Sequence, residues 1–338
     1  MAFTLIRPGV ASSVQDLGRC GYQKYGIIVG GVMDPPSARL ANWLVGNPDD
    51  AALIEFSFLG PSILFEDQTL FALTGGHCRP KLDGISITPG RPLLARAGQI
   101  LTIGGLTAGC RGYFAVAGGI DVPEWFGSRS TYIRAGVGGY GGRMLQPHDR
   151  IPVGRPVPLV QKLMVCLPDT EDGWFFSLRR SYRGAKTIRV IADGLWDRFT
   201  EESRRTFQEA EYTVTTASDR MGYRLDGPEL HLEKPLEMYS EAVTNGSIQV
   251  PRGGHPIILM TDHQSTGGYP RIAQVASADL PILAQLPPQS RLRFRLISIS
   301  EAERLLVAQE KRLMHLRLSV VRKLKKLASD TFDLNKKD

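Results

Sequence analysis

Short β-forming runs separated by glycine and proline turns recur along the whole chain, and they limit what it can become. They read FTLIR, LIEFSF, TLFALTGG, ILTIGG, GYFAVAGG, TIRVIA, YTVTT, SIQVP, PIILM and LRFRLIS. Thirty-six glycines and 22 prolines among 338 residues supply the turns. Many short strands with regular turn signals point to barrels or sandwiches. Parallel β–α–β units would need a long amphipathic helix between successive strands, and few such segments are present.

The helices that the sequence does sign are distinct. MDPPSARLANWLVGN predicts one in which Asp34 is the cap, Pro35 takes the first position and Gly46-Asn47 closes the end. TEESRRTFQEA predicts a second, and a short third starts at Ser277. After Ser300, EAERLLVAQEKRLMHLRLSVVRKLKKLAS predicts a long helix with Leu306, Leu313, Leu316, Val320, Leu324 and Leu327 near one face. The last residues, DTFDLNKKD, are expected to be disordered. LLARAGQILTIG, MLQPHDRIPVG and LAQLPPQSRLRFRLI repeat one pattern: an apolar residue, a tight polar turn, then an alternating strand. That pattern suits either a common β-turn or related β-units in both halves of the chain. LPDTEDGW and LRRSYRG read as a surface connection. The expected division is a β-rich domain over 1–184, its connector at 156–184, a second domain over 185–300 and a basic helical tail over 301–338.

The net charge of +7 invites a nucleic-acid reading, but its location opposes one. From Lys311 onward nine Lys/Arg stand against three Asp, a balance of +6, which leaves about +1 for the preceding 310 residues. The tail is expected to dock on the body and to be dispensable for its chemistry. Apolar runs are too short to span a bilayer, and the first residues lack the apolar core and small-residue site of a signal peptide, so a cytoplasmic location is expected. Cys20, Cys78, Cys110 and Cys166 are far apart, which indicates neither a zinc site nor a disulfide framework.

The sequence contains no G-x-x-x-x-G-K-[ST] loop, no G-x-S-x-G and no H-E-x-x-H. GVGGYGGR does not join a strand to a helix, so it reads as a β-connection rather than a dinucleotide site. What remains is a set of polar clusters at strand ends. SVQDLGRCGY offers Gln15, Asp16 and Arg19. GGVMD places Asp34 at a helix start. SDRMGYRLDGP gives Asp219, Arg220 and Arg224, and EMYSEAVTNGSIQVP gives Ser240, Glu241, Asn245 and Gln249. TDHQSTGGYP adds Asp262, His263, Gln264, Thr266, Gly267, Gly268 and Tyr269 directly after the apolar run PIILM. Each cluster alone suits a surface turn or a structural hydrogen bond. Together they point to a polar cavity that holds a ligand, because buried polar groups cost free energy unless paired.

SVQDLGRCGY, GGVMD, ANWLVGN, AVAGGIDVPEWFGSRSTY, SDRMGYRLDGP, GSIQVPRGGHPIILMTDHQSTGGYP and ADLPILAQL resemble the biotin-dependent carboxyltransferase/KipA family, from about Phe3 to about Ser300. That family includes the C subunit (PxpC) of the bacterial ATP-dependent 5-oxoprolinase, the allophanate hydrolase subunit 2 and the matching half of the carboxyltransferase domain of urea carboxylase. Departures are mild: Gly31-Val32 in GGVMD, Ser265 in HQSTGGYP, and PPQSR in place of a Gly-Asp turn. The resemblance implies a mainly β protein of two cyclophilin-like β-barrel domains with a C-terminal helix. It also implies a KipI-like (PxpB-like) partner chain and, in 5-oxoprolinase, a third subunit. ATP is then bound by a partner chain or by an unfamiliar cavity here. Biotin would come only from a partner chain, since no Met-Lys-Met-type biotinylation site is present.

A lactam or urea carries a carbonyl acceptor and N–H donors. Gln249, Gln264 and Thr266 can donate to the carbonyl, and Asp262 or Glu241 can accept from nitrogen. Proton removal and oxyanion stabilisation assign catalytic roles to Asp262, Glu241 and His263. Gln15, Asp16, Asp34, Asp219, Arg220, Ser240, Gly267, Gly268 and Tyr269 complete the expected substrate-binding set, and no metal is expected. The leading expectation is a subunit that opens 5-oxoproline to glutamate at the expense of ATP. The alternatives are a biotin-dependent urea or amide carboxyltransferase component, and a KipA-like binding protein that antagonises a kinase inhibitor.

Overall fold

The computed structural model describes residues 1–166, 174–178 and 184–334. The chain divides into two compact units. One comprises Met1–Gly18, Asp34–Arg180 and Arg312–Asp338, and the other comprises Arg19–Met33 and Ser181–Lys311. All ten β-runs read from the sequence contain strands.

In the first unit the strands form two open antiparallel sheets. The six-stranded sheet runs Arg150–Pro152, Ala2–Arg7, Leu59–Phe65, Ile100–Gly105, Lys81–Leu82 and Ile85–Ser86. The five-stranded sheet runs Val10–Gln15, Leu53–Ser57, Ala108–Val116, Thr69–His77 and Leu93–Ala95. The chain passes from one sheet to the other at Gly9, whose φ is +74°, and a Cβ there would lie 2.3 Å from the Leu59 carbonyl oxygen. Only glycine suits that crossing. Phe3, Leu5, Ile63, Phe65, Leu101 and Ile103 of the first sheet share one core with Ile54, Phe56, Phe71, Leu73 and Phe114 of the second. Phe3 meets Phe114 edge-on at 5.5 Å, and Phe65 stacks on Phe71 at 5.3 Å. Each such buried ring contributes roughly 1.5–3 kcal/mol.

The second unit contains a closed barrel of seven strands: Lys186–Ala192, Arg271–Val275, Ser247–Gln249, Ile257–Leu259, Gly222–Asp226, Tyr212–Val214 and Arg291–Leu296. Closure comes from one parallel pairing, Lys186–Ala192 with Arg291–Leu296. Ile188, Val190, Phe207, Tyr212, Ile248, Ile258 and Phe294 fill its core. The expected pair of cyclophilin-like barrels is therefore corrected. The protein is a mixed α/β fold with one closed barrel, open sheets and helices. Three of the four edge strands of these open sheets span only two or three residues and offer few ladder positions for closure, while the fourth, Val10–Gln15, has six.

The signed helices form. Pro35–Leu44 is capped by Asp34, Glu201–Glu209 by Thr200, and a short 3₁₀ turn at Ser277–Asp279 leads into Leu280–Ala284. The helix Pro158–Cys166 carries no sequence sign, and it falls at the start of the expected connector. The rest of that connector, LPDTEDGW and LRRSYRG, lies almost wholly outside the described residues. The C-terminal helix runs Ile299–Leu334, so the helix takes in half of DTFDLNKKD, while 335–338 lie outside the described residues. Leu313, Val320 and Leu324 on it are buried. Within the first unit Arg317 lies 3.4 Å from Asp49, and Lys323 sits 4.9 Å above the Trp174 ring.

The repeated sequence pattern folds into the same turn three times. Gln99, Asp149 and Ser290 donate their N–H groups to the carbonyls of Arg96, Gln146 and Pro287, three residues earlier. The third residue of each, Gly98, His148 and Gln289, has φ of +85°, +67° and +69°. This is the type II pattern. His148 and Gln289 thus hold a conformation that glycine adopts without steric cost.

Candidate functional site

The strand Ile257–Leu259 pairs with Gly222–Asp226, and the ladder continues past both ends into TDHQST. Met260 N donates to the Met221 carbonyl at 3.0 Å, and Asp262 N to the Arg220 carbonyl at 2.8 Å. Arg220 and Asp262 are thereby set opposite each other. The guanidinium takes both carboxylate oxygens, Nε to Oδ2 at 2.8 Å and Nη2 to Oδ1 at 2.9 Å. Nη2 also donates to the Gly31 carbonyl at 2.5 Å. A bidentate pair of this kind fixes the carboxylate plane as well as its position.

Arg19 joins the same corner. Its backbone N–H donates to the Val29 carbonyl at 2.9 Å, and its long side chain is almost fully buried. Gly30 and Gly31 turn with φ of +64° and +92°. A Cβ on Gly30 would lie 3.2 Å from Arg19 Nη1 and 3.8 Å from Asp262 Oδ1. Two guanidiniums therefore converge near one carboxylate at a corner kept open by glycine. Such a corner favours a group that carries or develops negative charge.

His263 is buried beside them, with Nδ1 2.5 Å from the Gln264 carbonyl oxygen. That contact requires the proton on Nδ1 and leaves Nε2 as the acceptor. Burial holds the imidazole pKa below its ordinary value, against smaller opposing effects of the Gln264 carbonyl and Asp262. The unfolded chain then takes up the proton first as pH falls. Stability present above about pH 6.5 is lost as pH drops from there through the lowered folded value. Replacing His263 with glutamine is expected to flatten this part of the stability–pH curve. Denaturant melts at several pH values check it, and an unchanged slope would contradict it.

A second group forms outside the barrel wall. The ribbon pairs Glu241 with Gly267 and Ala242 with Thr266. Arg271 donates from Nη2 to Glu241 at 2.9 Å and from Nε to Asp193 at 3.2 Å. Burial opposes the Arg271 charge, but the two carboxylates outweigh it and raise its pKa. Gln249 is buried under Gly267, where a Cβ would lie 2.4 Å from Gln249 Nε2. Ser240 borders Gly268. Gly268 and Tyr269 line an open groove of about 1050 Å³ with Leu230, Met238, Val250 and Pro270. Gln264 is exposed beside the first cluster.

The remaining expected residues hold backbone. Asp219 accepts from the N–H groups of Met221 and Gly222 and shapes an exposed turn. In the first unit Asp16 accepts from Ser128 Oγ at 2.7 Å, Ser130 Oγ at 2.6 Å, and the N–H groups of Gly18 and Arg129. Asp34 caps its helix through Ser37. Gln15 donates to Ser13 Oγ at 2.9 Å and the Thr131 carbonyl at 3.3 Å.

Glu55, Arg111 and Tyr113 are not among the residues singled out from sequence, yet they are buried on the face of the five-stranded sheet away from the shared core. Tyr113 donates to Glu55 at 2.9 Å and accepts from Asp34 N at 2.8 Å. Burial, then the Glu55 charge, push its phenol well above the ordinary range. The signal is present in LIEFS, where a carboxylate interrupts an apolar strand.

Known proteins share this architecture. Residues 25–296 match the family model described as carboxyltransferase domain, subdomain A and B. The chain is 38% identical over 298 residues to the C subunit of 5-oxoprolinase from Escherichia coli, covering 88% of this chain and 92% of that one. It is 34% identical to urea amidolyase of Saccharomyces cerevisiae over 91% of this chain but 17% of that one. The solved structure of the K. lactis urea amidolyase superposes with a TM-score of 0.83 at 31% identity, over 93% of this chain and 20% of that chain. This chain thus corresponds in length to the bacterial protein and to about a fifth of the yeast enzymes. On the family match and these relatives together, the chain belongs to the carboxyltransferase-domain family, subdomains A and B.

Proposed function

We propose that the chain is one subunit of a multi-chain enzyme that transfers a carboxyl group to the nitrogen of a small amide. The observation that carries this reading is the corner where Arg220 grips Asp262 and the Arg19 guanidinium lies near it, across Gly30. Guanidinium groups at this corner suit the carboxylate of a carboxylated carrier, and these residues would hold it. Biotin, delivered by a partner chain, would supply the one-carbon unit when bound. Asp262, fixed by Arg220, would orient the amide N–H, and neutral His263 would accept its proton at Nε2. The family model and the superposition on urea amidolyase support this reading.

A second reading is ATP-dependent opening of 5-oxoproline to glutamate. The length correspondence with the bacterial 5-oxoprolinase chain favours it, since 92% of that protein is covered. Here the same corner would stabilise charge developing on the lactam oxygen, and ATP would act with a KipI-like partner and a third subunit.

One reconstitution separates the two. The chain and its KipI-like partner are supplied with a carboxylated biotin carrier and urea, or with the third subunit, ATP and 5-oxoproline. The first reading expects amide-dependent loss of the carrier carboxylate. Glutamate release without any carrier would replace it with the second. A complex that forms yet turns over neither amide would leave only a regulatory binding role.

A further inference from the structure

The two-residue ribbon covers an arrangement that structural bonding does not account for. Gln249 is 2% exposed, and its Nε2 is buried with no acceptor among the described residues. The same holds for Nη1 of Arg271, although Nε and Nη2 of that guanidinium are taken by Asp193 and Glu241. Gln249 and Arg271 are cross-strand partners, so both side chains lie on one face of the barrel wall. Gly267 closes the space from above and is itself paired with Glu241. Buried N–H donors are ordinarily satisfied, so two from adjacent positions call for an acceptor from outside the protein, a ligand or the water it would displace.

The groove gives a route to them. Val250 and Pro270 line it, and each is the chain neighbour of one donor residue. Their own backbone bond, Val250 N to the Pro270 carbonyl at 2.8 Å, is the next rung of the same ladder. The ribbon above consists of the pairs Glu241–Gly267 and Ala242–Thr266 and one further bond, Val243 N to the Ser265 carbonyl at 3.1 Å, so little pairing must open for entry.

Charge decides the kind of acceptor. Asp193 and Glu241 outnumber the one guanidinium between them. A carboxylate entering there would meet net negative surroundings, whereas a neutral carbonyl oxygen would not. We propose that Gln249 Nε2 and Arg271 Nη1 form a donor pair under Gly267 that receives the carbonyl oxygen of a neutral amide. This rests on the small-amide reading above and adds a second point of amide recognition, apart from the Arg220–Asp262 corner.

The test uses Gln249→Leu and Gln249→Met in the full chain, with 2-pyrrolidone, urea and acetate as probes in thermal melts. A donor reserved for ligand contributes nothing to the free fold, so both variants are expected to melt at or above the wild-type temperature. Wild type is expected to be stabilised by 2-pyrrolidone or urea, not by acetate, and both variants are expected to lose that response. A variant that melts well below wild type or fails to fold overturns the proposal, because the amide would then be a structural partner. So does a wild-type chain that ignores both neutral amides, answers acetate instead, or keeps its response without Gln249. If the response depends on Gln249 but the reconstituted complex turns over no amide, the enzymatic reading fails and the subsite stands. Turnover together with a destabilised Gln249→Leu leaves the enzymatic reading standing and removes the subsite.

Discussion

Replacing Arg220 with alanine is expected to cost about 3–5 kcal/mol of stability, because it leaves the Asp262 carboxylate buried without its main cation. Both side chains are largely shielded, at 13% and 8% exposure, so solvent cannot replace the lost bonds. The change also frees the Gly31 carbonyl from its guanidinium donor. The double variant Arg220→Met, Asp262→Leu is expected to recover part of the loss, since it leaves no unpaired carboxylate, although the Gly31 carbonyl still lacks its donor. It is expected to remain inactive. Chemical denaturation of the three proteins checks this. A single variant as stable as wild type would show that the pair holds nothing together.

Ending the chain after Arg312 is expected to lower its stability severely, against the sequence-based expectation of a dispensable tail. The cut removes Leu313, Val320 and Leu324, all buried, along with the Arg317–Asp49 pair and the Lys323–Trp174 contact. Burying a leucine- or valine-sized side chain is worth about 1.5–3 kcal/mol. At the lower end of that range three of them sum to roughly 5 kcal/mol, with the ion pair adding at most about 1 kcal/mol. A fall in melting temperature of about 10–20 °C follows for a unit of this size. Calorimetry of the truncated chain measures it, and an unchanged melting temperature would return the tail to the role of a solvated appendage. The family model ends at residue 296, so this helix lies beyond the segment that the model matches.

Much of the local structure is legible in the sequence. Strands show because β-branched and aromatic residues cluster between glycine turns, and helices show where caps are explicit, as at Asp34 and Thr200. Pro158–Cys166 is not legible, because PLVQKLMVC has no distinctive cap and a nearly all-round apolar surface. Sheet closure is not legible either. Whether strands close a barrel depends on pairings between distant segments, such as Lys186 with Leu292, that no local pattern encodes. In the site, aspartates are the weak point. Asp16, Asp219 and Asp262 all precede or follow turns in the sequence, yet two of them bind turn and loop backbone while the third faces a guanidinium. Composition cannot separate those cases, because a carboxylate accepts from an amide N–H and from arginine alike. The approach of Arg19 and Gly30 to Asp262 spans more than two hundred residues of chain and becomes visible only in three dimensions.

The working role of the Arg19–Arg220–Asp262–His263 corner is tested most directly by Asp262→Asn in the reconstituted complex, with turnover and melting temperature taken on one preparation. Asparagine keeps the size of the side chain and one oxygen for Arg220, so the complex is expected to assemble. Turnover per assembled complex is expected to fall by at least about 100-fold, because the amide N–H is no longer held toward His263; the melting temperature is expected to fall as well, since Arg220 loses its carboxylate. Turnover close to wild type in a folded, assembled Asp262→Asn complex would contradict the assignment of this corner as the reaction site.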